Sequence, residues 1–243
     1  MSRSAPSGAT IQFGPGPVTK AVRALIIANV AVFVVSYFAP TFFQTYLGLV
    51  PELVLMRGWL WQLATYAFVH ADAVHILFNM LIVWMFGVDL ERRWGASGFV
   101  KFYMVCATGA AATVLAVSLL PFDGSRAMYL ASTVGASGAC YGLLMAWAVL
   151  FPTREILLFF VFPVQVRYAV LIFGGLAFFS GLSSGGGTVA HFAHLGGLIA
   201  GYLYLKGARG LRYSLQSAVT RYRFMRARRK FKVHSGGKGP TVH

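Results

Sequence analysis

Only six of the 243 residues carry a carboxylate side chain: Glu52, Asp72, Asp89, Glu91, Asp123 and Glu155. All six read as lying in loops or at the ends of apolar segments. Intramembrane aspartyl chemistry needs two carboxylates facing each other at depth, and this distribution offers none. A proton-coupled transporter usually keeps at least one acid at depth, so that class is disfavoured too. Cysteine is equally scarce. Cys106 and Cys140 both fall in apolar stretches and read as small buried hydrophobes, not as a disulfide framework or a zinc pair. The metalloprotease pattern His-Glu-x-x-His is missing. In "HADAVH" (70–75) the histidines are five apart, about 140° around a helix, with no Glu between them. No metal site is expected.

Charged residues make up 11% of the chain, against about a quarter in a soluble domain. Hydrophobic residues make up 58%, and the mean hydropathy is +0.68. Because a helix needs roughly 20 mainly apolar residues to cross the hydrocarbon, this is the composition of a membrane protein. Six apolar segments stand out, at about 22–38, 73–88, 99–120, 135–151, 168–179 and 189–205. The second of them has a start that could lie anywhere after Gln62. The expected fold is therefore an all-α membrane protein, a bundle of six transmembrane helices over residues 20–207. Residues 1–19, rich in Gly, Pro and Ser, are expected to be disordered and show no cleaved signal peptide. The stretch 41–60 mixes aromatics with Pro51, Glu52 and Arg57, which suits a long loop lying in the membrane interface. The stretch 156–166 is apolar but holds Pro163 and Gln165; it reads either as a kinked start to the fifth helix or as a re-entrant piece.

Basic residues set the expected orientation. With six spans, 19 of the 21 Lys and Arg fall on the side of both termini, and only Arg57 and Arg126 on the other. That places the termini in the cytoplasm. Eleven of the basic residues lie from Lys206 onward, so residues 208–243 form a basic cytoplasmic tail. Its mixture of Arg with Tyr, Phe, Leu and Met reads as an amphipathic helix on anionic lipid. No aromatic RNA-binding motif accompanies the charge, so nucleic acid is not an expected partner.

Few polar residues remain inside the apolar segments. In "HILFN", His75 and Asn79 are four apart and share a helix face. In "GASGACYG" (135–142), Ser137 and Tyr141 share another. His194 opens "HLGGLIAG", in which Gly197 and Gly201 form a small-residue stripe matching that of Gly138 and Gly142. Such stripes let helices approach closely. If the fourth and sixth helices pack through them, Ser137 comes within hydrogen-bond reach of His194, and a serine beside an imidazole is an activated nucleophile. His75 and Asn79 then offer side-chain donors, and Ser137 its own N–H, for an oxyanion at a helix N-terminus freed by Gly135. No acid is placed to orient His194, so a dyad is expected rather than a triad, with Tyr141 stacked on the imidazole. Taken singly, Ser137 is more often a packing residue, the histidines and Asn79 interhelical hydrogen-bonders, and His191 merely interfacial. The combination of nucleophile, base and two donors on three helices changes that balance.

These residues also resemble a known family. "GASG" (135–138), "AHLGGLIAG" (193–201), "HADAVHILFN" (70–79) and "VDLERRWG" (88–95, with Glu91 and Gly95) are together similar to the motifs of rhomboid intramembrane serine proteases, over about residues 20–207. The resemblance implies a six-transmembrane-helix rhomboid-like bundle. It implies Ser137 as nucleophile, His194 as general base and acid, and His75 and Asn79 as oxyanion donors. Tyr141 would pack on the histidine, and Gly135, Gly138, Gly197 and Gly201 would support the set. Substrates would be the transmembrane helices of other proteins, and no cofactor would be needed. The absence of a transit peptide and of soluble domains points to a bacterial plasma membrane. Many members carry Trp-Arg in the first loop where this chain has Trp61-Gln62, which puts that arginine's loop-stabilising contacts in question. A non-catalytic client-binding member is the competing class, and a transporter a weaker third.

Overall fold

The computed structural model describes residues 15–121, 124–158, 161–182 and 189–207. The expectations for residues 1–14, for the tail after residue 207 and for Asp123 lie outside the described residues. The chain divides into two compact units, 1–204 and 205–243. Of the second, residues 205–207 are described and are helical. The first is mostly helical. Its major helices are α1 (Lys20–Ser36), α5 (Ala73–Ser118), α7 (Ser137–Leu150), α8 (Val166–Leu182) and α9 (189–207, of which 189–204 belong to this unit). Shorter pieces are α2 (Pro40–Tyr46), α3 (Pro51–Arg57), α4 (Gln62–Thr65), a 3₁₀ turn at Tyr66–Phe68 and α6 (Ser125–Leu130). Among the described helices, Ala73–Ser118 is the one long and apolar enough to cross a membrane; Ser137–Leu150 and Val166–Gly181 are shorter apolar helices.

The second and third apolar segments meet without a loop. α5 starts at Asp72, whose carboxylate accepts from the His75 N–H at 2.8 Å, and is interrupted only at Gly95 (φ 73°, ψ 168°). A Cβ disfavours that left-handed backbone, so a glycine sits where two helices join end to end. The first half runs on past Val88, so Asp89 and Glu91 sit near the end of this helix arm, as expected of acids at the ends of apolar segments. Glu91 is buried and accepts from the backbone N–H groups of Ala21 and Val22, both at 2.9 Å, and from the Thr19 hydroxyl. Those are orphan donors of the first turn of α1, so a carboxylate from another helix caps it and complements its dipole.

The stretch 41–60 is not a plain loop. It holds α2 and α3, each with Pro at its start, where the missing N–H costs nothing. α3 ends on Gly58 in the left-handed region. Gln62 lies fully buried beneath this segment. Its Oε1 accepts from the Val50 N–H at 3.0 Å and its Nε2 donates to the Thr45 carbonyl at 2.8 Å. Gln62 thus makes loop-holding contacts at the position where an arginine was expected. Leu49 pairs with Thr133 in an isolated antiparallel bridge, N to O at 2.9 and 2.8 Å, which ties the first loop to the segment ahead of Ser137.

One expectation of an all-α chain is corrected. Residues Glu155–Leu158 (β1) and Phe162–Gln165 (β2) form an antiparallel hairpin, with Glu155 opposite Gln165 and Leu157 opposite Pro163. Pro163 would break a helix here, yet a two-stranded hairpin always has an edge on which a residue without an N–H is tolerated. The hairpin closes through the Val166 N–H on the Arg154 carbonyl at 2.9 Å and leads into α8.

α7 is the central helix, buried along Gly138, Ala139, Cys140, Gly142, Leu143 and Ala146. It packs against α5 and α8. Its Trp147 indole N–H donates to the Phe86 carbonyl at 2.9 Å. Substituting Gln62→Ala strands the buried Val50 N–H, at roughly 1–3 kcal/mol, while the exposed Thr45 carbonyl can turn to solvent. Thermal unfolding of the purified protein should fall accordingly, and an unchanged midpoint would show that the Val50 and Thr45 bonds contribute nothing.

Candidate active site

Ser137 is the first residue of α7, where backbone N–H groups have no intrahelical acceptor. The turn before it is held from several sides. The Gly135 N–H donates to the Tyr66 carbonyl at 3.0 Å, while the Tyr66 hydroxyl donates to the Ala107 carbonyl of α5 at 2.8 Å. Ser132 donates to the Gln44 carbonyl at 2.7 Å. The position of the serine therefore follows from α5 and the first loop as well as from its own helix.

The serine hydroxyl lies 2.9 Å from His194 Nε2 of α9. The Tyr141 ring stacks on that imidazole, with centroids 4.3 Å apart and planes within 8° of parallel. Among the described residues, His194 Nδ1 is buried without a hydrogen-bond partner. Face-to-face packing thus restricts the ring on one side, while its second nitrogen meets no carboxylate there.

Close helix approach has a specific cause. A Cβ on Gly197 would run into the backbone oxygen of Gly138, and one on Gly201 would sit 3.2 Å from the Gly142 backbone. α9 therefore leans on the backbone of α7 through its own glycines. The α7 stripe meets both neighbours: a Cβ on Gly138 would lie 2.5 Å from Ala110 Cβ of α5 and 3.4 Å from the Ala193 oxygen of α9, and one on Gly142 would meet Cys106 of α5 and, at 3.3 Å, the Gly197 oxygen of α9. The two stripes do not face each other symmetrically; they let three helices close around one point.

His75 and Asn79 arrive from α5 on the other side of the turn. Gly135 has φ 116°, and a Cβ there would lie 2.5 Å from His75 Cε1 and Nε2 and 3.6 Å from Asn79 Nδ2. Only a glycine admits both the backbone angle and the two side chains. Asn79 is buried, and its Nδ2 has no partner among the described residues. An amide donor held against the turn ahead of Ser137 without an acceptor is arranged for a group that brings one.

His70 was singled out only for its spacing, but it too reaches the turn. It lies in the non-helical stretch ahead of α5, buried, with its ring edge-on to His75 at 5.1 Å, and its Nε2 accepts a long 3.5 Å bond from the Ala136 N–H. Burial first, then the neighbouring His75, pushes its pKa down to about 4, against the pull of Asp72. A neutral imidazole leaves that nitrogen able to accept. The available signal was a buried polar residue in an apolar stretch one turn ahead of "HILFN". His191 lies 6.1 Å from His194, ring edge to face, and makes no polar contact with Ser137 among the described bonds. Among the described residues no three His, Cys, Asp or Glu side chains gather as metal ligands.

Fold and site together define a mostly helical protein built around a hydroxyl–imidazole pair. Residues 57–209 match the rhomboid domain. The chain is 34% identical to Rhomboid protein 1, mitochondrial, of Saccharomyces cerevisiae over 186 residues, 75% of this chain and 51% of that protein. It is 31% identical to RHOMBOID-like protein 1 of Arabidopsis thaliana over 160 residues, 63% of this chain and 35% of the relative. It is also 27% identical to Rhomboid protease GluP of Bacillus subtilis over 149 residues, 61% and 26% of the two chains. The matched region spans about half or less of these relatives. The chain belongs to the rhomboid family.

Gly197→Ala forces α9 away from α7 and should lower stability by about 1–3 kcal/mol. Gly175→Ala, where a Cβ meets nothing within 4 Å, should be neutral. Thermal unfolding in detergent measures both; equal midpoints for the two variants would remove the case for a close α7–α9 approach.

Proposed function

We propose that this chain is an intramembrane serine endopeptidase that cuts the transmembrane helices of other proteins. The observation that carries the reading is the 2.9 Å contact of Ser137 Oγ with His194 Nε2, beside an unpartnered Asn79 Nδ2 and the His75 ring. In the proposed reaction His194 Nε2 takes the Ser137 proton as Oγ attacks a substrate carbonyl. The oxyanion forms against His75, Asn79 and the Ser137 N–H. His194 then gives its proton to the leaving amide nitrogen, which leaves an acyl-enzyme. Water attacks that ester, its proton passes to His194 and then to Ser137 Oγ, and the acid product departs.

The six-span reading is supported by six apolar helical stretches: α1, the two arms of α5, α7, α8 and α9. Large apolar side chains stay exposed on their outer faces, among them Ile27 and Val34 of α1, Leu77 of α5 and Leu171 and Leu176 of α8, as lipid contact would require. Both termini lie in the cytoplasm, residues 20–207 form the catalytic domain, and the basic tail rests on anionic lipid. A bacterial plasma membrane is the setting this reading favours.

α7 has 14 residues and rises about 21 Å, short of the roughly 30 Å of a hydrocarbon core. With its Leu150 end at the arginine-rich side, Ser137 lies inside the membrane depth. Substrate carbonyls at that depth are engaged in their own helix, so a segment that unwinds easily is cut in preference.

Purified Ser137→Ala should not cleave a reporter transmembrane substrate and should not react with a fluorophosphonate probe that labels the wild type. Normal cleavage by this variant would end the assignment, and an unlabelled wild type would favour a non-catalytic binder of membrane clients. His75→Ala and Asn79→Ala should each lower turnover, by up to 10²–10³, with unfolding midpoints unchanged. Parallel losses of stability would make both residues structural.

A further inference from the structure

The end of the bundle farthest along α7 from Ser137 gathers arginines around one aromatic ring. Arg154 Cζ lies 4.3 Å from the Phe151 ring centroid and 5.3 Å from that of Trp147. Arg93 Cζ lies 6.0 Å from the same Phe151 ring. Arg92 joins through Asp89, whose carboxylate it meets at 3.3 Å while Arg154 meets it at 2.7 Å. Arg167 follows at once, because its N–H donates to the Pro152 carbonyl at 3.4 Å and its guanidinium lies 4.7 Å from the Tyr168 ring.

The charges do not balance. Four guanidinium groups meet one bonded carboxylate, Asp89, and the exposed Glu155 on β1. Arg92 already spends donors on the Pro15 and Pro17 carbonyls. Among the described residues Arg93 and Arg167 make no ion pair, and both are exposed. Guanidinium groups fanned over aromatic rings suit a phosphate, which takes several N–H donors at once.

A second feature points to the source of that phosphate. From the arginine end of α8, Tyr168, Leu171, Ile172 and Leu176 form an exposed apolar stripe. A soluble anion has no use for such a stripe, but an acyl chain hanging from a bound headgroup does.

We propose that Arg93, Arg154 and Arg167, with Arg92 behind them, bind the phosphate of an anionic phospholipid whose acyl chain lies along the exposed face of α8. The headgroup joins three elements: the end of the first arm of α5, the end of α7 and the hairpin leading to α8. The site rests on the membrane-spanning reading above but not on the protease reading.

The test uses the full-length chain in phosphatidylcholine nanodiscs, with and without phosphatidylglycerol, read by thermal unfolding. Phosphatidylglycerol should raise the wild-type midpoint. The rise should be roughly halved or smaller in Arg93→Gln/Arg154→Gln/Arg167→Gln and largely kept in the matching triple Lys variant, because a ligand stabilises only through the site it occupies. The basic tail is present in every variant and cancels. Should the triple Gln variant not fold, Arg93→Gln alone carries the comparison and should also lose part of the rise. An equal rise in wild type and Gln variants overturns the site. An equal, arginine-dependent rise with inorganic phosphate in phosphatidylcholine discs overturns the lipid assignment. A chain that does not enter the discs at all overturns the membrane reading itself, whereas cleavage activity has no bearing on any of these outcomes.

Discussion

The approach of α9 to the backbone of α7 at Gly197 and Gly138 is the constraint on which the rest of the site depends. In lipid there is little hydrophobic drive for two apolar helices to associate, so close packing and interhelical polar contacts carry the association. With no side chain at Gly197, the backbones meet directly. That separation brings a residue at the N-terminus of α7 within hydrogen-bond reach of one on α9, and Ser137 and His194 lie 2.9 Å apart. The same separation lets the Tyr141 ring lie flat on the imidazole. One methyl group at Gly197 would undo both contacts.

A second close approach, at Gly135, works in the same direction from the opposite side. There the backbone of the turn before Ser137 meets the His75 ring and the Asn79 amide. This turn is fixed less by its own sequence than by distant partners. The Tyr66 carbonyl receives the Gly135 N–H, the Tyr66 hydroxyl grips Ala107, and Leu49 pairs with Thr133. Gln62 in turn holds the first-loop segment on which Leu49 sits. Among the described residues Gln62, Tyr66 and Glu91 satisfy backbone groups of other elements, which is what a protein surrounded by hydrocarbon requires of its irregular segments.

This explains what could be read from the sequence. Contacts set by helical periodicity were legible: His75 with Asn79, Ser137 with Tyr141, and the glycine spacing on two segments. Their meeting followed from the assumption that the glycine stripes pack, and the α7 stripe meets the α9 backbone as well as Ala110 and Cys106 of α5. Contacts between residues far apart in the chain, with no periodic signature, were not legible. Glu91 caps a helix that starts 71 residues earlier; the motif singled the residue out, but nothing local names its partner. Gln62 looked like a missing arginine. The hairpin at 155–165 hid in an apolar stretch whose proline excluded a regular helix but did not say what replaced it.

The missing third member of the proposed catalytic set has a physical rationale in the same setting. A carboxylate beside His194 would have to be charged at membrane depth, where its desolvation costs several kcal/mol unless it is fully paired. A neutral aromatic ring avoids that cost and still limits the imidazole to one orientation, because stacking fixes its plane while the Ser137 hydroxyl fixes its rotation about that plane. In the proposed reaction the electrostatic work then passes to dipolar donors: an amide, an imidazole and backbone N–H groups at a helix N-terminus. In a medium of low dielectric such dipoles act more strongly on a developing oxyanion than they would in water. The scarcity of acids in the chain and the choice of donors around Ser137 are thus two expressions of one constraint.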